Sequence, residues 1–439
     1  MLHYNINEYV KRFKESSLAK RFVSGALWTF SGTAFAKLMV LVSGIICAHI
    51  LGKVEYGELG IIRTTVGMFT ILGTAGLGVT ATKYISQYKS IDTSKVASIY
   101  SLTSRFAIIT GIIVTSLVLI LSPVLADKTL HAPHLTNSIR IASIMLFVSV
   151  INGAQNGTLY GFEDYKSIAL NTFIGSLFEA GLMLLGAKVN GVFGALLGFG
   201  SGYIVLYLLN LYSINKCFKK YSVVVNRKSL QKQDLKLLLS FSLPALLSSL
   251  LVAPTIWLCK TLLVRSDGFD ELANFEAADY WKTLILYIPY AIGTIVLPVL
   301  SDSKTTNNKT AYWKIIKINI IVNGLISLFI SLVVVVFSPY LTSLFGSNYT
   351  DNVTLSILAC STIFTSMSNV VGLSITSRSL MWQGFLLNLI WAVLTISFSY
   401  VFIRFGMGAA GLASAVLIAY VIHTIISFLY LKFSINHKI

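Results

Sequence analysis

Eight stretches of this chain contain no Asp, Glu, Lys or Arg over about 19 residues or more: Thr64–Thr82, Phe106–Ala126, Val189–Asn215, Leu237–Cys259, Thr283–Ser301, Asn352–Ser377, Ser379–Ile403 and Phe405–Leu431. A helix rises about 1.5 Å per residue, so about 20 residues cross a hydrocarbon core roughly 30 Å thick. Barrel strands would alternate in segments of about 10 residues, and nothing here alternates. Lipid offers no hydrogen bonds to the backbone, so runs of this kind predict helices that satisfy their own peptide groups. Charge is scarce enough to agree: 12% of residues are charged, against roughly 25% in a soluble domain. The predicted class is an all-α integral membrane protein.

Twelve membrane segments are expected, near 23–51, 58–82, 103–126, 138–161, 167–187, 190–214, 237–263, 273–300, 314–337, 352–376, 380–403 and 408–431. Residues 1–21 precede them. Ile6, Val10, Phe13 and Leu18 can share one helical face there, beside Lys11, Arg12, Lys14, Lys20 and Arg21, the pattern of an interfacial amphipathic helix. The longest polar interruption, 215–236, divides the chain into a six-helix bundle at 22–214 and a second at 237–433, with a short tail at 434–439.

The formal charge of +17 would suggest nucleic acid in a soluble protein. Sorting the 34 Lys and Arg residues among loops removes that reading. With a cytoplasmic N-terminus, about 24 fall on the cytoplasmic side and about six on the other, the bias that orients membrane proteins. Both termini then lie inside. Cys47, Cys217, Cys259 and Cys360 are widely spaced and mostly in apolar runs, as free thiols would be. No cleaved signal peptide is expected, because the first apolar stretch is long, contains Lys37 and lacks a small-residue cleavage motif.

A repeat is legible. A shift of 217 residues superposes Phe147 on Phe364, Ser149 on Ser366, Asn152 on Asn369, Asn171 on Asn388, Gly191 on Gly408, Gly194 on Gly411 and Tyr203 on Tyr420. A shift of 219 brings Tyr56 onto Phe275 and Arg63 onto Lys282. Six helices per repeat, both starting on the same side, predict parallel halves with a substrate path between them.

Four cations, Lys37, Arg63, Lys260 and Lys282, lie inside predicted membrane segments. A charge at the bilayer centre costs about 2.5–3.5 kcal/mol on insertion scales, so each should face a wet cavity or a partner. Lys37 is halfway along its segment, where snorkelling to either surface is awkward, whereas Arg63 and Lys260 are nearer segment ends. Lys282 follows Asp279 by three residues, a spacing that allows an intrahelical pair. The buried acids Glu179 and Asp279 are candidate charge partners or protonatable ion-coupling groups. Asn152, Asn171, Asn369 and Asn388 suit helix packing or sugar binding, and Trp28, Tyr280, Trp281, Tyr287, Tyr290 and Trp391 suit interfaces or sugar stacking. His131-x-x-His134 and His423 do not compose a metal site. The chain has no Gly-x-x-x-x-Gly-Lys-[Ser/Thr] and no catalytic signature; no cofactor, metal or nucleic-acid partner is expected.

Gly52-Lys-Val-Glu-Tyr-Gly57, the Gly-x-x-Gly pairs Gly191/Gly194 and Gly408/Gly411, and Leu297-Pro298 resemble motifs of the polysaccharide flippases in the multidrug/oligosaccharidyl-lipid/polysaccharide (MOP) exporter superfamily. The likeness runs from about residue 22 to 433 and is nearest the Wzx-type O-antigen flippases. It implies two parallel six-helix bundles of MATE-like fold around a central cavity lined by helices 1, 2, 7 and 8, the helices that carry all four cations. It further implies a multi-pass protein of the bacterial inner membrane, not an enzyme, that flips an undecaprenyl-pyrophosphate-linked O-antigen or capsule unit. The phospholipid bilayer and other polysaccharide-assembly proteins would be its partners. Lys37, Arg63, Lys260 and Lys282 would then hold the pyrophosphate. Two alternatives stay open: a cation-coupled multidrug exporter of the same superfamily, and a polytopic glycan polymerase or ligase.

Overall fold

The computed structural model describes residues 17–74, 76–224, 251–305, 309–378 and 380–437. Among them there is no β-strand. The helices are α1 (Ser17–Thr74), α2 (Leu77–Tyr88), α3 (Thr93–Pro123), α4 (Thr136–Phe162), α5 (Tyr165–Tyr221), α6 (Val252–Thr305), α7 (Lys309–Val336), α8 (Ser338–Ser343), α9 (Asn352–Ser377), α10 (Met381–Arg404) and α11 (Gly408–His437). Eight helices among the described residues are long and apolar enough to cross a membrane. Their outer faces keep large apolar side chains exposed, as at Ile109, Ile113 and Ile120 of α3 and Leu325, Phe329 and Val336 of α7. In water these residues would be driven inward; against acyl chains they cost nothing.

Three of the longest helices are hairpins joined through one or two non-helical residues. The breaks are Gly52 in α1 (φ 75°, ψ 177°), Asn190–Gly191 in α5 and Gly268 in α6 (φ 86°, ψ −179°). Only glycine adopts these dihedrals without cost. In α5 the arms return so closely that Gly186 abuts the carbonyl of Gly194, with no room for a Cβ. In α6 Lys260 and Glu276, eight residues to either side of Gly268, are bonded to each other.

These hinges fix the internal repeat. Gly52-x-x-Glu55 and Gly268-x-x-Glu271 are related by 216 positions, and Gly191 (φ 53°) and Gly408 (φ 51°) by 217. The 219-residue shift that aligns Arg63 with Lys282 is therefore incorrect. Counted from its hinge glycine, Arg63 occupies the place of Asp279. A residue of opposite charge stands at the equivalent position, so this part of the repeat leaves little trace in side-chain type.

Helices α1–α5 pack among themselves, as do α6–α11, and the two sets meet chiefly along α1 and α6. At the end carrying the hinge glycines, an apolar cluster containing Tyr56, Leu59, Ile62, Leu272, Phe275 and Phe345 joins the halves. Gly57 backs onto the carbonyl of Phe269, a contact that excludes any side chain at 57. Arg265 reaches His131 at 3.3 Å across the same gap.

Some boundaries differ from those read in the sequence. Helix α5 continues to Tyr221, past the predicted end at 214, because Lys219 and Lys220 in its last turn face the negative end of the helix dipole and extend toward water. Helix α3 starts at Thr93, capped by Asp92, whose carboxylate accepts the amides of Ser94 and Lys95 and the hydroxyl of Ser94. The Ser94 hydroxyl and these amides hold the Asp92 carboxyl below its usual range. The segment predicted at 58–82 is interrupted after Thr74 and resumes at Leu77 behind left-handed Gly76. Of the leader 1–21, residues 17–21 form the start of α1 and the rest lie outside the described residues, as do 225–236 of the central linker.

Candidate functional site

Helical periodicity builds a cavity where α1 meets α6. Thr33, Ala36, Lys37 and Val40 follow the i, i+3, i+4, i+7 spacing that puts residues on one helical face. Gly60, Arg63 and Thr64 do the same on the second arm of α1, and Glu276, Asp279, Tyr280 and Thr283 on the second arm of α6. With Glu179, Phe199 and Tyr203 of α5 and Leu284 of α6, these faces enclose about 480 Å³. Such a volume lies within the range of small-molecule sites.

The charges are largely cross-paired. Lys260 Nζ donates to Glu276 Oε1 at 2.7 Å and to Thr64 Oγ1 at 3.3 Å. Lys282 Nζ donates to Asp279 Oδ1 at 2.9 Å. Arg63 donates to the Tyr280 hydroxyl at 2.6 Å, stacks at 4.7 Å from the Phe199 ring centroid, and lies 3.7 Å from Glu179 Oε1. Lys37 lines the cavity with no hydrogen-bonded partner among the described residues. Among the described residues, four cations thus face three carboxylates, and Lys37 is the one of the four without a bonded carboxylate.

Residues 22–304 match the polysaccharide biosynthesis protein family. The chain belongs to that family. A polysaccharide-family relative, the EPS I polysaccharide export inner membrane protein EpsE of Ralstonia solanacearum, is 22% identical over 414 residues, covering 91% of each chain. The EpsE of Ralstonia nicotianae is 23% identical over 298 residues, 64% of this chain and 65% of its own. Two of the similar solved structures are a multidrug resistance MATE transporter of the MOP superfamily, inward-facing (TM-score 0.77, 19% identity, 91% and 94% coverage) and outward-facing (0.74, 20%, 95% and 96%). A third is a MOP transporter of Pyrococcus furiosus described as having a binding pocket of reverse polarity (0.73, 20%, 95% and 96%). These likenesses give the fold, the MATE-like arrangement that the sequence resemblance implies.

Within this polysaccharide-family fold, Lys37, Arg63, Glu179 and Asp279 line the cavity itself, while Lys260 and Lys282 reach it only through the carboxylates they hold. Glu276 is the principal group that sequence reasoning left out of the site. Its spacing from Asp279 and Thr283 was a usable signal; its pairing with Lys260 and Thr64 on other arms was not, because that depends on how each arm is rotated. Among the packing amides, Asn152 donates to the Tyr203 carbonyl and Asn171 to Asn210 and Ser213. The two loop histidines have separate partners, His134 meeting Glu58 at 2.7 Å and His131 meeting Arg265.

Proposed function

We propose that this chain flips an undecaprenyl-pyrophosphate-linked oligosaccharide, an O-antigen or capsule repeat unit, across the bacterial inner membrane by alternating access. The observation that carries this reading is Lys37, an ammonium without a bonded carboxylate among the described residues, beside Arg63 in an intramembrane cavity between the two halves. A pyrophosphate-linked sugar brings at least two negative charges. Lys37 offers a point charge and Arg63 a planar fork of donors. Arg63 also has the longest of the three ion pairs, so it is the cation most readily drawn from its carboxylate to a phosphate. The polysaccharide-export name of the EpsE relatives supports a glycan cargo and an inner-membrane location.

In this reading the basic-rich side is cytoplasmic with both termini, and the hinge-glycine end is periplasmic. The contacts joining the halves at that end leave the cytoplasmic leaflet as the side of loading. Lys260 and Lys282, already neutralised, set the electrostatics of the wall and release their carboxylates only when the halves rock. The test is binding of undecaprenyl pyrophosphate, with undecaprenol as the uncharged control, to the full chain in nanodiscs. Wild type should retain the pyrophosphate and a Lys37→Gln/Arg63→Gln variant should lose at least tenfold in affinity. Equal retention by both would refute the reading.

The carboxylates Glu179, Glu276 and Asp279 in the cavity favour a second reading, a cation-coupled multidrug exporter. Deletion would then sensitise cells to cationic drugs while leaving the surface glycan intact.

A further inference from the structure

A second cavity, of about 320 Å³, lies inside the C-terminal half between α6, α9, α10 and α11. Among its described lining residues there is no Lys, Arg, Asp or Glu. Its polar groups are neutral amides and hydroxyls, with Asn369, Asn388 and His423 set beside the rings of Trp391 and Tyr420.

The repeat shows how the chemistry of these walls has changed. A shift of 217 places Asn152, Asn171 and Asn210 under Asn369, Asn388 and Ser427. In the N-terminal half the amides consume one another: Asn171 donates to Asn210 Oδ1 at 2.9 Å, and Asn210 donates to Asn156 Oδ1 at 2.9 Å. In the C-terminal half Ser427 replaces Asn210 and Leu373 replaces Asn156, so two amides of that network are missing. Trp391 stands where the first half has Ile174. It is only 2% exposed, and its Nε1 donor has no hydrogen-bond partner among the described residues. A buried donor of this kind is costly to leave unmade, which makes it a ready group for a ligand acceptor. The Tyr420 ring lies 5.4 Å from that of Trp391, and His423 is held by Ser368 at 2.8 Å and Ser427 at 3.3 Å.

We infer that this cavity binds a neutral saccharide ring, the polyhydroxylated part of the cargo, apart from the charged cavity that takes its head group. A sugar has apolar faces that pack on aromatic rings and a rim of hydroxyls that bonds amides and indole N–H; an ion would need a counter-charge that these walls lack. Tyr290, which lines this cavity, is six residues beyond Leu284 of the charged one, about 9 Å along a helix. The two cavities thus share the second arm of α6. The assignment of the sugar as cargo rests on the flippase reading, but the site can be probed without the lipid.

Saturation-transfer NMR on the full chain in nanodiscs, with free N-acetylglucosamine, glucose, galactose, mannose and rhamnose, reads the site. At least one neutral sugar should receive saturation from wild type. The signal should fall at least fivefold in Leu373→Asn/Ser427→Asn, which rebuilds the amide network of the first half, and in Trp391→Phe, which removes the indole donor, keeps a smaller aromatic ring and tests the site even if the double variant does not fold. Lys37→Gln should leave it unchanged. No signal from any of the five sugars, or a signal that persists in Trp391→Phe, would overturn the proposal. Failure of the head-group reading is distinguishable, since it appears as equal undecaprenyl pyrophosphate binding by wild type and Lys37→Gln/Arg63→Gln with sugar signals intact.

Discussion

Glu271 Oε2 accepts the backbone N–H of Ala409 at 2.7 Å, tying the return arm of the α6 hairpin to the first turn of α11. The first half repeats the device: Glu55 Oε2 lies 3.1 Å from where a Cβ on Gly191 would sit, beside the start of the second arm of α5. Each carboxylate thus stands at the positive end of a helix dipole, and each follows its hinge glycine by three residues. A carboxylate at a helix N-terminus contributes about 0.3–1 kcal/mol, rising to about 2 when partly buried. Glu271→Ala should lower stability by about 1–2 kcal/mol, read as a lower melting temperature in detergent, and Glu55→Ala should act similarly. An unchanged melt for Glu271→Ala would show that the bond does not anchor α11.

Gly57 allows the halves to close at the hinge end because it abuts the Phe269 carbonyl. Gly57→Val should wedge that end apart. Cysteines placed at 131 and 265, whose native side-chain tips are 3.3 Å apart, should be joined by a long-armed bis-maleimide in a background without the four native cysteines. Adding Gly57→Val should reduce the cross-linked fraction severalfold. Undiminished cross-linking would mean that the close contact at 57 does not control closure.

The Lys260–Glu276 pair is deeply buried, with side chains 5% and 12% exposed. Removing one partner leaves the other charge stranded, at a cost of about 3–5 kcal/mol, whereas removing both can be nearly neutral. Lys260→Met should therefore be strongly destabilising, and Lys260→Met/Glu276→Gln should recover most of the loss. Denaturation midpoints of the two single variants and the double variant complete the cycle. Additive losses would show that the pair is not coupled.

Asn210 is fully buried and bonded to both Asn156 and Asn171. Interhelical hydrogen bonds in membranes average about 0.6 kcal/mol and reach about 1.7. Asn210→Leu should cost an amount in that range, with cargo binding in the central cavity unaffected. A loss of binding without loss of stability would give this network a different role.

The architecture was legible because lipid imposes strong constraints: long charge-free runs must be helices, and buried charges must find water or a partner. Arg63 and Lys37 stand out for that reason. The matching around Arg63 was not legible, since the hinge glycines, not similar side chains, carry the register, and its counterpart Asp279 has the opposite charge. The ion pairs were legible only when both members lay on one turn, as with Lys282 and Asp279. Pairs between arms, such as Lys260 with Glu276 and Arg63 with Glu179, depend on helix rotation, which uniformly apolar faces do not encode. The second cavity was hidden because its amides and rings stand on long apolar helices, and which of them face one another depends on helix rotation.

Whether the cavity cations carry an anionic glycan lipid is decided by export in cells. In a strain whose own copy is deleted, wild type should restore surface glycan, and Lys37→Gln/Arg63→Gln, at equal abundance in the membrane, should leave the lipid-linked units on the cytoplasmic face. Full surface glycan from that variant would contradict the mechanism.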